Sequence, residues 1–199
     1  HSSDILGDVA VKGDILASSV TVFAWRKKIV DFGTPSFPTQ VWVMARAESG
    51  LRPIVPGQSV QEDIQKTIAQ LRGKSVLGVS STCLDPAIYG LDQQTTTVKY
   101  FQGSLNELAP AVIYEAAEAT LLDVPDAIMA LRKWPGKIKV LGPISPPQVM
   151  APAFAKDSDQ LRKAFDTFLR KLKEDGRYKP LIRKYYPSIF QYFPEFFSP

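Results

Sequence analysis

The sequence predicts an α/β protein, and three observations carry that prediction. Short apolar runs suited to buried strands recur along the chain, as at 75–79, 119–123 and 148–155. Between them lie segments that open on a capping residue and continue at helical spacing. Gly- and Pro-rich connections separate the two kinds of segment. A chain of 199 residues can bury a substantial core and is long enough for one or two domains. Its 45% hydrophobic and 22% charged residues are those of an ordinary globular protein.

Taken in order, residues 1–12 are ambiguous, with 7–10 a strand end or a helix remnant. Residues 14–17 read as a short buried strand, followed by a polar bend with Ser18, Ser19 and Thr21, a basic turn with Arg26, and Asp31-Phe32 before a Pro-broken loop. Residues 40–47 (QVWVMARA) form the next strand, and 49–59, rich in Gly, Pro and Ser, a connection. Ser59 and Glu62 make a capping box ahead of Val60, Ile64, Ile68 and Leu71 at helical spacing. A strand at 75–79 then delivers Ser80, Ser81, Thr82 and Cys83, and Asp85-Pro86 can cap a following helix.

Residues 95–100 predict a strand, and Ser104–Glu107 a second capped start that Leu108, Val112 and 114–117 extend. An apolar strand at 119–123 ends on an acid, Asp123, and 124–133 is helical. After a strand at 138–141 and three prolines within 142–147 comes a strand at 148–155. The clearest helix follows, capped at 157–159, with the stripe Leu161, Ala164, Phe165, Phe168, Leu169 and Leu172. Gly176 stops it, 179–186 forms a last helix, and the five aromatics of 188–199 are expected to pack on the fold.

Hydroxyls and a guanidinium just beyond a strand's carboxyl end suit a carboxylate, because a planar Arg fork matches it bidentately and hydroxyls donate to the same oxygens. Here the residues are Asp14-Ile15-Leu16-Ala17, Ser18-Ser19-Val20-Thr21, Phe23 to Arg26, and Val30-Asp31-Phe32-Gly33-Thr34-Pro35-Ser36-Phe37. In this order they resemble the first-lobe segment of the family 3 extracellular solute-binding proteins, the two-lobed amino-acid receptors of ABC importers. Phe23 stands where that family usually has Thr. Gly78-Val79 and Thr82 resemble its second-lobe motif, in which a helix start binds the ligand's carboxylate, with Ser81 in place of the usual Gly. Asp123 lines up with the family's acid for the α-amino group.

The resemblance implies a two-lobed, periplasmic-binding-protein-like (type II) α/β fold with a hinge between lobes. Residues 1–47 with 145–199 would form lobe one and 48–144 lobe two. The strand, helix and strand that precede the Gly13 position in the family are absent from lobe one, which leaves a fragment, omitted residues and a reduced lobe all open. The implied function is noncatalytic, extracytoplasmic binding of a small amino acid or related carboxylate in an interlobe cleft. The ligand residues would be Ser19, Thr21, Phe23, Arg26, Ser81, Thr82 and Asp123, with Phe23 favouring an apolar or aromatic side chain. No cofactor or metal is implied, and the partners would be the small-molecule ligand and a membrane permease or receptor. The protein would be monomeric and periplasmic or extracellular, with or without a membrane tether. Two alternatives stand on the same fold: a sensing or noncatalytic module of a larger receptor, kinase or cell-wall enzyme, and a dehydratase, for which no general acid is clearly placed.

Composition narrows the remaining classes. The single cysteine, Cys83, excludes an internal disulfide and a Cys-based zinc site, and with His1 the only histidine, His triads and histidine metal sites are excluded. The net charge of +4 is spread among acidic residues, so no nucleic-acid partner is predicted. No stretch is long and apolar enough to span a bilayer, and no charged-then-apolar leader opens the chain.

Overall fold

The computed structural model describes residues 13–93 and 96–198. In chain order its strands are β1 (Ile15–Thr21), β2 (Asp31–Phe32), β3 (Phe37–Thr39), β4 (Val41–Arg46), β5 (Ser75–Gly78), β6 (Thr97–Tyr100), β7 (Ala119–Asp123), β8 (Ile138–Pro143) and β9 (Gln148–Phe154). Its α-helices are α1 (Val60–Gln70), α2 (Leu108–Ile113), α3 (Val124–Lys133), α4 (Asp159–Glu174), α5 (Tyr178–Tyr185) and α6 (Ile189–Tyr192). The chain divides into two compact units, one running to Thr39 and resuming at Gln148, the other Gln40–Pro147.

In the first unit β9 pairs antiparallel with β1 on one side and with β2 and β3 on the other. β1 runs four residues beyond the predicted 14–17, because a bulge between Leu16 and Val20 lets Val20 and Thr21 rejoin β9 opposite Ala151 and Met150. Ser18, Ser19 and Thr21 therefore belong to a strand and not to a bend. Val30 and Ala153 form a core to which Leu16, Val20, Ile29 and Phe32 add. The predicted aromatic packing of the tail is observed for four of its five aromatics: Phe193 and Phe197 are buried, with Ile189 beside them, and Phe197 lies 4.3 Å from Phe190 and 5.2 Å from Phe196, while Tyr192 is half exposed. α4 forms where its apolar stripe predicts, and of the six stripe residues Leu169 is buried while Phe168 is 57% exposed. Residues 7–10, expected as a strand end or a helix remnant, lie outside the described residues.

The second unit is a five-stranded sheet in the order β6-β5-β7-β4-β8, with β6, β5 and β7 mutually parallel and β4 antiparallel to β7 and β8. Its core takes Val41, Val43 and Met44 from β4, Leu121 and Leu122 from β7, and Leu71 and Leu108 beside α1 and on α2. The boundary expected at residue 47 falls at 39/40, because β4 finds both its partners, β7 and β8, in this unit. The return expected at 145 falls at 147/148. The Ser59 hydroxyl accepts from Glu62 N–H at 3.2 Å and caps α1 as predicted. α2 stops at Ile113, short of the expected 117, where Glu115 turns left-handed at φ 68°. Thr95, the predicted start of β6, lies outside the described residues.

Candidate functional site

Three of the seven predicted ligand residues are brought together at the end of β1. Arg26 opens a 3-10 turn, Arg26–Lys28, that bends back on the strand, and its guanidinium donates to the Thr21 carbonyl at 2.8 Å. Only 2% of this cation is exposed. Its guanidinium carbon lies 5.2 Å from the Phe23 ring centre and 5.0 Å from that of Trp25, and those two rings stack at 6.4 Å and 12°. A desolvated cation against two ring faces gains about 2 kcal/mol, and the rings also hold the fork's plane fixed. Thr21 is buried, and its hydroxyl makes no hydrogen bond among the described residues. Such an orphan costs about 1–3 kcal/mol, which a ligand oxygen could recover. Ser19 lies in β1, with its side chain outside the described part.

In the second unit the chain leaves β5 through a tight turn. Gly78 is required there, since a Cβ would stand 2.3 Å from the Pro86 ring and 2.5 Å from the Leu84 carbonyl. Ser81, where the resemblance expected Gly, takes a left-handed φ of 60°, a conformation that costs an L-residue about 1–2 kcal/mol. Its N–H donates to Asp85 Oδ2 at 2.9 Å. The Thr82 hydroxyl donates to the Val79 carbonyl at 2.8 Å and accepts from Leu84 N–H at 2.9 Å. The expected helix start at Thr82 is corrected: Thr82 lies in a closed turn, and the helical residues are a four-residue 3-10 segment, Pro86–Tyr89, capped by Asp85. Asp85 also accepts from the Tyr100 hydroxyl at 3.2 Å, and burial, with Asp85 adding to it, pushes the Tyr100 phenol up.

Asp123 ends β7 and caps α3, accepting from Asp126 N–H at 3.1 Å. β7 and β5 are neighbouring parallel strands, so Asp123 and the Ser81–Thr82 turn leave the same, carboxyl edge of the sheet. Burial, with the nearby Asp126 carboxylate second, pushes the Asp123 carboxyl up to about 7, and burial also raises Asp126. A buried acid held near neutrality ionises readily when a cation arrives. Cys83 is half-buried and in no disulfide. Among the described residues no group of His, Cys, Asp or Glu is arranged to hold a metal.

Sequence reasoning missed three participants. Trp25 was legible only as the neighbour of Arg26, since nothing in the spacing says that rings at one and three residues before an Arg close on it. Asp85 was read as a cap but also fixes the Ser81 N–H. Asp126, at the third helical position after Asp123, is a capping-box position occupied by a second acid.

The family model for bacterial extracellular solute-binding proteins, family 3, matches residues 9–188. Similar solved structures include a mutant of ArgBP from T. maritima, 23% identical, with 92% of this chain and 73% of that one covered and a TM-score of 0.76. The GluR0 ligand-binding core from Nostoc punctiforme in complex with (L)-glutamate is 21% identical over 94% of this chain and 79% of that one, with a TM-score of 0.74. The solute receptor for L-cysteine of Neisseria gonorrhoeae is 19% identical over 95% and 71%, with a TM-score of 0.75. At these identities the structural likeness speaks for the fold alone.

Proposed function

The chain belongs to the bacterial extracellular solute-binding proteins of family 3, and from that premise we propose that it binds a small amino acid or related carboxylate outside the cytoplasm and delivers it to an ABC importer. The observation that carries the proposal is the buried Arg26 guanidinium, held by two rings and bonded to the carbonyl of Thr21, a residue whose buried hydroxyl has no partner among the described residues. In the first unit Arg26 and Thr21 take the ligand's carboxylate, with Phe23 and Trp25 facing its apolar part and Ser19 as a further donor. In the second unit Asp123 takes the ammonium, ionising as it does so, and Ser81 and Thr82 line its approach. Recognition of both charges selects zwitterions, because a ligand lacking either leaves a buried charge unpaired at a cost of several kcal/mol. No step of this reading changes the ligand covalently.

Thermal unfolding of the purified chain in the presence of each of the twenty amino acids and of simple carboxylates tests it. A ligand at about 100 times its Kd adds about 2.7 kcal/mol, which for a chain of this size raises Tm by about 5–10 °C. A shift confined to a few related amino acids is expected; a folded chain that shifts with none of them overturns the proposal. A ligand-sensing module on the same fold would be selected over delivery by a longer parent chain with a transmembrane helix.

A further inference from the structure

The net charge of the chain is not evenly distributed. Residues 1–39 carry four acids and four Lys or Arg, and residues 40–147 carry ten of each. The excess of +4 therefore lies wholly in residues 156–199, with ten Lys or Arg against six acids. Within that segment the two longer helices treat their cations differently. On α4 three of the five cations are neutralised locally: Arg162 pairs with Asp159 and Asp166, Lys163 with Asp159, and Arg170 with Glu174, while no carboxylate among the described residues pairs with Lys171 or Lys173. On α5 no carboxylate among the described residues pairs with Lys179, Arg183 or Lys184, and the helix contains no acid.

The same helix shows apolar surface to solvent. Leu181 is 48% and Tyr185 53% exposed, one turn apart on one side of α5, and Tyr192 of α6 is 49% exposed. Lys184 lies 5.2 Å over the Tyr185 ring and Arg183 4.6 Å over the Phe190 ring, so cations and apolar groups interleave. Tyr178 faces inward and anchors the helix, its hydroxyl donating to the Ser36 carbonyl. Lys179 and Arg183 lie across the helix from Leu181 and Tyr185, with Lys184 flanking Tyr185, an amphipathic arrangement that matches an interface with anionic groups at one depth and hydrocarbon just below it. A nucleic-acid backbone would satisfy the cations and leave Leu181 and Tyr185 uncovered.

We propose that the α5–α6 face binds the surface of a membrane containing anionic lipid, with Lys179, Arg183 and Lys184 on the headgroups and Leu181, Tyr185 and Tyr192 at the acyl boundary. The contact holds the protein at the bilayer by a route independent of its amino-acid ligand. Flotation of the full chain with vesicles of phosphatidylglycerol and phosphatidylcholine in equal parts, against phosphatidylcholine alone, tests it. Binding is expected to the mixed vesicles alone and to be released by high salt. Each surface cation contributes about fivefold to such binding, so Lys179→Glu with Lys184→Glu lowers the partition coefficient at least about thirtyfold. Arg72→Glu with Lys137→Glu, the same charge change at exposed positions of the second unit, leaves it unchanged. Absence of binding by the unaltered chain, equal binding to both vesicles, an equal loss in the second-unit variant, or retention by duplex DNA without retention by vesicles would each overturn the proposal. None of these outcomes bears on amino-acid binding.

Discussion

Replacing Asp123 by Asn separates ligand chemistry from fold stability with a change of one atom. The Asn side chain keeps an oxygen for the Asp126 N–H, so the cap of α3 survives. What disappears is a carboxylate that burial and Asp126 together make costly to ionise. A carboxyl whose folded pKa is raised holds a proton that the unfolded chain has released. Its contribution is therefore full below the ordinary carboxylate pKa of 3.8 and is lost as pH rises toward about 7. Each tenfold of proton affinity is about 1.4 kcal/mol. With part of the strain relaxed through Asp126, Asn is expected to stabilise the ligand-free chain on the order of 2 kcal/mol at pH 8, or about 4–8 °C in Tm. The unaltered chain should lose Tm steadily from pH 5 to pH 8, and the Asn chain much less. Amino-acid affinity moves the other way, falling by about 2 kcal/mol or more, or about thirtyfold, because the ammonium loses its charged partner. Paired melts across that pH range and calorimetry at pH 7.5 measure both halves. Superimposable pH profiles, or an Asn chain less stable at pH 8, would refute the electrostatic account of Asp123.

Three further outcomes are expected. Arg26→Lys should weaken amino-acid binding at least about tenfold by calorimetry, because an ammonium supplies neither the fork nor the flat face that Phe23 and Trp25 hold; equal affinity would make Arg26 purely structural. Thr21→Val, which removes a buried hydroxyl without a partner, should leave the ligand-free chain as stable or raise it by about 1 kcal/mol while weakening binding; a loss of more than that in the melt would mean the hydroxyl is bonded in solution. Ser81→Gly should stabilise the second unit by about 1 kcal/mol, since Gly takes a φ of 60° without the Cβ penalty and keeps the N–H to Asp85; denaturant melts showing destabilisation would count against strain at that turn.

Where apolar pattern and local chemistry agreed, the sequence was sufficient. β7 and α3 lie where 119–123 and 124–133 placed them, because a mainly apolar strand, a capping Asp and a Pro at the first turn point to the same boundary. What escaped depended on distant partners. The end of β1 is set by β9, and the unit boundary ahead of β4 by β7 and β8, so composition near residues 17 and 47 could not locate them. The α4 stripe has helical period, but a period does not say whether anything packs on it, and Phe168 stands mostly in solvent. Among the candidate ligand residues, Arg26 and Asp123 were legible as charge in apolar surroundings. The Thr82 turn was not, because its hydroxyl and carbonyl bonds depend on backbone torsions around Ser81.

The pairing of β9 with every other described strand of the first unit also fixes an order of assembly. β1, β2 and β3 are made within the first 39 residues, but their shared partner begins at Gln148. During synthesis the second unit, a contiguous stretch with all its strand partners inside it, can form its sheet while the early strands still wait as open edges. Its folding then shortens the loop that the first unit must close, because Thr39 and Gln148 are delivered side by side as partners in the β3–β9 ladder. A mutation that slows the second unit would thus prolong exposure of unpaired edges in the first, and aggregation would report damage made in a different part of the chain.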